Sequence, residues 1–138
     1  MPKCRHCDGG GSEDWFFMAV ILIVEDDALI RMVAEMMIQD WGHETLTASD
    51  EAEALLILRS SKHIDALFTD IYLNESVLGG CDLARQALEL RPRLRVLYTT
   101  GNSLTDKIRD LFAIGTHFLG KPYTEQQLHS SVAEMLAA

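Results

Sequence analysis

The chain is poor in cysteine, in proline and in positive charge, and each scarcity removes a class of protein. Three cysteines in 138 residues, Cys4, Cys7 and Cys81, are too few and odd in number for a disulfide framework, and they fit a reducing compartment. Three prolines and nine glycines exclude collagen-like and low-complexity chains. Only 12 basic residues stand against 21 acidic ones, for a net charge of −9, so most of the surface repels nucleic acid and anionic lipid. The basic run Arg91-Pro92-Arg93-Leu94-Arg95 reads as a solvated loop. The longest apolar run, residues 15–24, is too short to span a bilayer. It ends in Glu25-Asp26-Asp27 with no small-residue cleavage site, which speaks against a signal peptide. A cytoplasmic chain with no membrane insertion is expected. No Gly-x-Gly-x-x-Gly follows the first apolar run and no Gly-Lys-Ser/Thr loop exists, which argues against dinucleotide binding and nucleotide triphosphatase chemistry.

What is present is one ordinary globular domain, with 48% hydrophobic and 24% charged residues. Residues 1–17 read as a flexible extension and residues 18–138 as the domain. The Gly-rich, polar start lacks apolar periodicity. Cys4-x-x-Cys7, with His6 between, has metal-ligand spacing, but no second pair follows to close a zinc site; an unligated tail is the simpler reading. Met18 is an alternative start, directly before a strand.

Apolar patterning then alternates between strand and helix. Residues 19–24, a β-branched apolar run, predict a buried strand, residues 64–70 (IDALFTD) a second such strand and residues 94–99 a third. Weaker strands are expected at 43–48 and 116–119. Helices are expected over 28–41, from Asp50-x-x-Glu53 to about residue 61, over 81–90 and 103–114, and from Thr124-x-x-Gln127 to the end. In the first helix, Leu29, Ile30, Val33, Met36, Met37 and Trp41 are assigned to the core face, with Met32, Met36 and Met37 as core filler. Cys81 is assigned to packing rather than reactivity. Five strands alternating with five helices predict a doubly wound parallel α/β sheet.

In such sheets chemistry gathers at the carboxyl ends of the strands. Those ends supply Glu25 and Asp26, Asp70, Thr100 and Lys121. Three carboxylates raise each other's pKa unless a cation intervenes, and an oxygen-only set suits Mg²⁺ or Mn²⁺. A carboxylate nucleophile, a metal, a mobile ammonium and a hydroxyl are the parts needed to handle a phosphoryl group. Each residue also has an ordinary structural role, as helix cap, turn hydroxyl or surface ion pair. Their joint occurrence at four strand ends favours the site.

With ILIVEDD at 21–27, LFTD at 67–70, YTTG at 98–101 and GKPY at 120–123, the chain resembles the receiver domains of two-component response regulators over residues 19–137. The resemblance implies a flavodoxin-like fold with strand order 2-1-3-4-5. It implies that Asp70 accepts a phosphoryl group from a histidine kinase or a histidine phosphotransfer protein. Asp26 and Asp70 would ligate Mg²⁺ directly, Glu25 through water, and Tyr72 by its backbone carbonyl. Lys121 would contact a phosphoryl oxygen. Thr100 and Phe118 would act as the switch that reshapes the last helix, the fifth strand and the preceding helix for an unknown downstream protein, with a homodimer through the last helix as an option. Asn74 stands where the family often has proline, and Phe118 where tyrosine is more familiar. A single-domain regulator is the expected form. The rivals are a phosphate-independent interaction module with a vestigial site and a haloacid-dehalogenase-type phosphatase. The latter resembles Asp-x-Asp, and Tyr72 occupies the second position here.

Overall fold

The computed structural model describes residues 18–73, 79–101 and 117–137. Its strands are β1 (Val20–Val24), β2 (Glu44–Ala48), β3 (Ala66–Asp70), β4 (Arg95–Thr100) and β5 (His117–Gly120). They form one sheet in the order β2-β1-β3-β4-β5, with every neighbouring pair parallel. Helices α1 (Ala28–Asp40), α2 (Glu51–Leu58) and α3 (Gly79–Leu90) and a C-terminal helix (Glu125–Ala137) cover it. The flavodoxin-like sheet is the predicted one. The helix expected over 103–114 lies outside the described residues.

β1 is a continuous apolar run, and β3 and β4 are buried along their length apart from exposed Arg95, because both faces of these strands are covered. Side chains alternate between two cores. Leu22, Val24, Leu67, Val96 and Tyr98 pack with Ala54, Leu55 and Leu58 of α2 and Leu83, Ala84 and Ala87 of α3. Ile21, Ile23, Phe68 and Leu97 pack with Ala34 and Ile38 of α1 and Leu128, Val132 and Met135 of the C-terminal helix.

Helix starts follow the sequence closely. Asp27 caps α1, accepting from the Leu29 and Ile30 amides at 2.9 and 3.0 Å. Asp50 and Glu53 form a capping box, with Glu53 N–H donating to Asp50 and Ser49 N–H to Glu53, both at 2.8 Å. At the C-terminal helix the Thr124 amide donates to the Gln127 side-chain oxygen at 2.8 Å and the Gln127 amide to the Thr124 hydroxyl at 3.1 Å. Gly42, at φ 94°, takes the left-handed conformation that ends the first helix.

Two expectations need correction. The core face of α1 is Ala34 and Ile38, with Met37 and Trp41 partly buried beside them. Leu29 is 64% exposed, Met32 50% and Met36 57%, and Ile30 and Val33 are also exposed. Met32 and Met36 are therefore not core filler. This helix carries apolar residues almost all round, so periodicity did not single out the side on which small Ala34 lets helix and sheet approach.

The second correction concerns Arg91, which is not a freely solvated loop residue. Its Nε donates to Leu58 O at 3.0 Å and its Nη2 to Ser60 O at 2.8 Å, satisfying carbonyls at the end of α2 that the helix leaves open. Arg93, in the loop, and Arg95, the first residue of β4, are exposed. Arg91→Ala is expected to cost about 1–2 kcal/mol, seen as a lower urea midpoint with an unchanged slope.

Candidate functional site

Four strands end at one edge and deliver the predicted residues together. Glu25, just past β1, is 5% exposed and Asp70, at the end of β3, 7%; Asp26 is exposed. One carboxylate oxygen from each of the three lies within 4.8 Å of the others. Lys121, just past β5, reaches across the sheet. Its Nζ donates to Glu25 Oε1 at 2.6 Å and to Asp70 Oδ2 at 2.7 Å. The Tyr72 amide donates to Asp70 Oδ1 at 3.1 Å, holding the carboxylate by its other oxygen.

The electrostatics follow from burial and pairing. Burial pushes the Glu25 carboxyl above its ordinary range, and the hydrogen bond from Lys121 only partly offsets this. Burial also opposes the charge on Lys121, but hydrogen bonds to Asp70 and Glu25 outweigh it and leave the ammonium above its usual pKa. The Tyr123 phenol, beside the same cluster, is raised by burial. The pocket thus contains more negative charge than one ammonium neutralises. Hard oxygen donors with one exposed carboxylate, Asp26, form a set into which Mg²⁺ or Mn²⁺ would fit with water still attached.

Thr100 is buried at the end of β4, and the Lys121 amide donates to its carbonyl at 2.9 Å. Phe118 is half-buried in β5, opposite Tyr98 in the ladder and packed on the α2–α3 core. The Tyr72 backbone lies beside Asp70. Asn74 and the Cys4, His6 and Cys7 trio lie outside the described residues. Cys81 is buried, and burial lifts its thiol to about 11; so high a pKa makes it a packing residue rather than a nucleophile.

The structure adds Gly80, which residue spacing alone did not reveal. α3 begins two residues earlier than expected, at Gly79. The Gly80 amide donates to Ile71 O at 2.8 Å. A Cβ at Gly80 would overlap the backbone carbonyl oxygen of Asp70. The Gly79-Gly80 pair ending the Asp70 loop was the available signal, but only coordinates show which atom demands the missing side chain.

The family model for the response regulator receiver domain matches residues 21–133. The chain is 32% identical over 118 residues to the uncharacterized transcriptional regulatory protein YrkP of Bacillus subtilis, covering 84% of this chain and 48% of that protein. It is 29% identical over 120 residues to the sensor kinase CckA of Brucella abortus, covering 86% and 12%. The chain therefore spans less than half the length of these curated relatives. A response regulator receiver protein from Sinorhizobium medicae superposes with a TM-score of 0.79 at 28% identity, covering 88% of this chain and 96% of the other. The chemotaxis response regulator CheY4 of Vibrio cholerae gives 0.75 at 25%, covering 86% and 99%. No helix among the described residues is long and apolar enough to cross a membrane. With the parallel sheet, the acidic strand ends and the match over residues 21–133 in agreement, this chain belongs to the response regulator receiver domain family of two-component systems.

Proposed function

We propose that the chain is a phosphoacceptor. In this reading Asp70 takes a phosphoryl group from a phosphohistidine on a sensor kinase or a histidine phosphotransfer protein, in the cytoplasm where ATP feeds the kinase. The observation that carries it is the Lys121 ammonium held between Asp70 and Glu25, with Asp26 alongside. An Asp70 carboxylate oxygen attacks phosphorus, the P–N bond breaks, and the leaving imidazole keeps its electron pair and takes up a proton. Lys121 is within reach of the oxygens of the incoming group. Asp26, Asp70 and the Tyr72 carbonyl would hold Mg²⁺ or Mn²⁺, with Glu25 acting through water. The metal supplies charge neutralisation for the phosphoryl oxygens. The chain catalyses only its own phosphorylation and dephosphorylation. Thr100 and Phe118 are the residues proposed to pass the change to the face of β5 and the C-terminal helix, for recognition by a downstream protein or a second copy. Phosphoramidate, a small P–N donor, provides the test. A single phosphoryl adduct is expected with Mg²⁺ and none with EDTA; an equal adduct in EDTA contradicts the metal-assisted reading.

The donor is proposed to dock on the exposed side of α1. Leu29, Met32, Val33 and Met36 recur at helical spacing and face solvent, on the helix that begins two residues after Asp26. Val33→Glu is expected to lower transfer from a phosphorylated histidine-bearing partner at least about tenfold, since a buried unpaired charge opposes docking. The rate with phosphoramidate should stay unchanged. Equal loss with both donors would place Val33 in the chemistry or the fold instead.

A further inference from the structure

Among the described residues two buried side-chain atoms lack a hydrogen-bond partner, Thr99 Oγ1 and His117 Nδ1. Thr99 is 4% exposed and pairs with Asp70 across the β3–β4 ladder. By strand alternation its side chain points the same way as Leu97, toward α1 and the C-terminal helix. A small cavity opens on that side. Ile23, Glu25, Ile30, Phe68, Thr99 and Tyr123 contribute to its wall, and it measures about 200 Å³ with its open mouth included. That is too small for a nucleotide or a drug-sized molecule. The polar side chains among the residues of the wall belong to Thr99, Glu25 and Tyr123. Glu25 uses one oxygen for Lys121 and the other for the Asp27 amide at 3.2 Å, so its carboxylate keeps unused lone pairs.

We propose that this cavity is a built site for one buried water molecule, which joins Thr99 to the inner carboxylate from behind the acidic pocket. The water accepts from the Thr99 hydroxyl and donates to Glu25, with Tyr123 as a third neighbour. Buried waters take this role where two to four polar groups converge on room for at least one molecule, about 30 Å³, and a buried hydroxyl with no partner is otherwise rare. The ligand is uncharged and needs no metal or phosphoryl group, so the proposal stands or falls independently of Asp70 chemistry.

The test uses the full metal-free chain and the near-isosteric Thr99→Val variant, with Thr99→Ser as a control. A crystal structure at about 1.5 Å or better is expected to show a water within hydrogen-bond distance of Thr99 Oγ1, about 2.7–3.2 Å, and to show that position vacant in Thr99→Val. The melting temperature is expected to fall in Thr99→Val and to recover in Thr99→Ser, because the water loses its anchor in one and keeps it in the other. An empty cavity in the wild-type density would overturn the proposal. So would a higher melting temperature for Thr99→Val, which is the result expected if the hydroxyl is simply unsatisfied.

Discussion

Replacing Asp70 by Asn is expected to abolish phosphoryl uptake while leaving the fold in place. The amide is nearly isosteric with the carboxylate and keeps an oxygen for the Tyr72 amide, which now sits 3.1 Å from Oδ1. It is not a nucleophile, so transfer should fall below detection, a loss of more than about 10³-fold. Lys121 keeps its 2.6 Å bond to Glu25, so no cation is stranded. The substitution also removes one of three carboxylates gathered within 4.8 Å. Loss of an ion pair and relief of repulsion oppose each other, and the unfolding free energy should change by no more than about 1 kcal/mol. Intact-protein mass after acetyl phosphate and Mg²⁺ reads the first effect, and urea unfolding the second. A persistent adduct on Asp70→Asn would move the acceptor to another residue.

The largest stability effect is expected at Gly80. A methyl group there would sit on the backbone carbonyl of Asp70, with the carbonyl carbon and the Ile71 Cα also closer than 3 Å. These are backbone atoms of a buried strand end and cannot turn aside like the tip of a flexible side chain. The start of α3 must move, and the 2.8 Å bond from the Gly80 amide to Ile71 O goes with it. Overpacking of this kind costs about 3 kcal/mol, a fall of roughly 10 °C in melting temperature for a domain of this size. The atom struck belongs to Asp70 itself, so acetyl phosphate labelling should fall even below the melting transition. Gly80→Ala with wild-type stability would show that the α3 start is looser than the structure implies.

Much of the fold was legible because burial on both faces leaves an unambiguous trace. The apolar runs of β1, β3 and β4 end in polar residues at the edge where Glu25, Asp26, Asp70 and Thr100 sit. The Asp50–Glu53 and Thr124–Gln127 boxes were legible because capping is local chemistry. The inward side of α1 was not, because apolar residues ring that helix and packing, not pattern, selects Ala34 and Ile38. Gly80 and Thr99 were missed for a different reason. One matters through an overlap with a distant backbone atom, the other through a hydroxyl left without a partner. Neither property has a sequence signature. The gathering of Glu25, Asp26, Asp70 and Lys121 could be anticipated because strand ends in a parallel sheet converge by topology.

The most direct measurement is to locate the phosphoryl group. The wild-type chain, labelled with acetyl phosphate and Mg²⁺, is treated with borohydride, which reduces an acyl phosphate to the alcohol, and then mapped by peptide mass. The account predicts a single reduced residue, homoserine in place of Asp70, with Glu25 and Asp26 intact. Reduction at Glu25 or Asp26 instead, or a phosphoryl group on a residue outside this pocket, would contradict it.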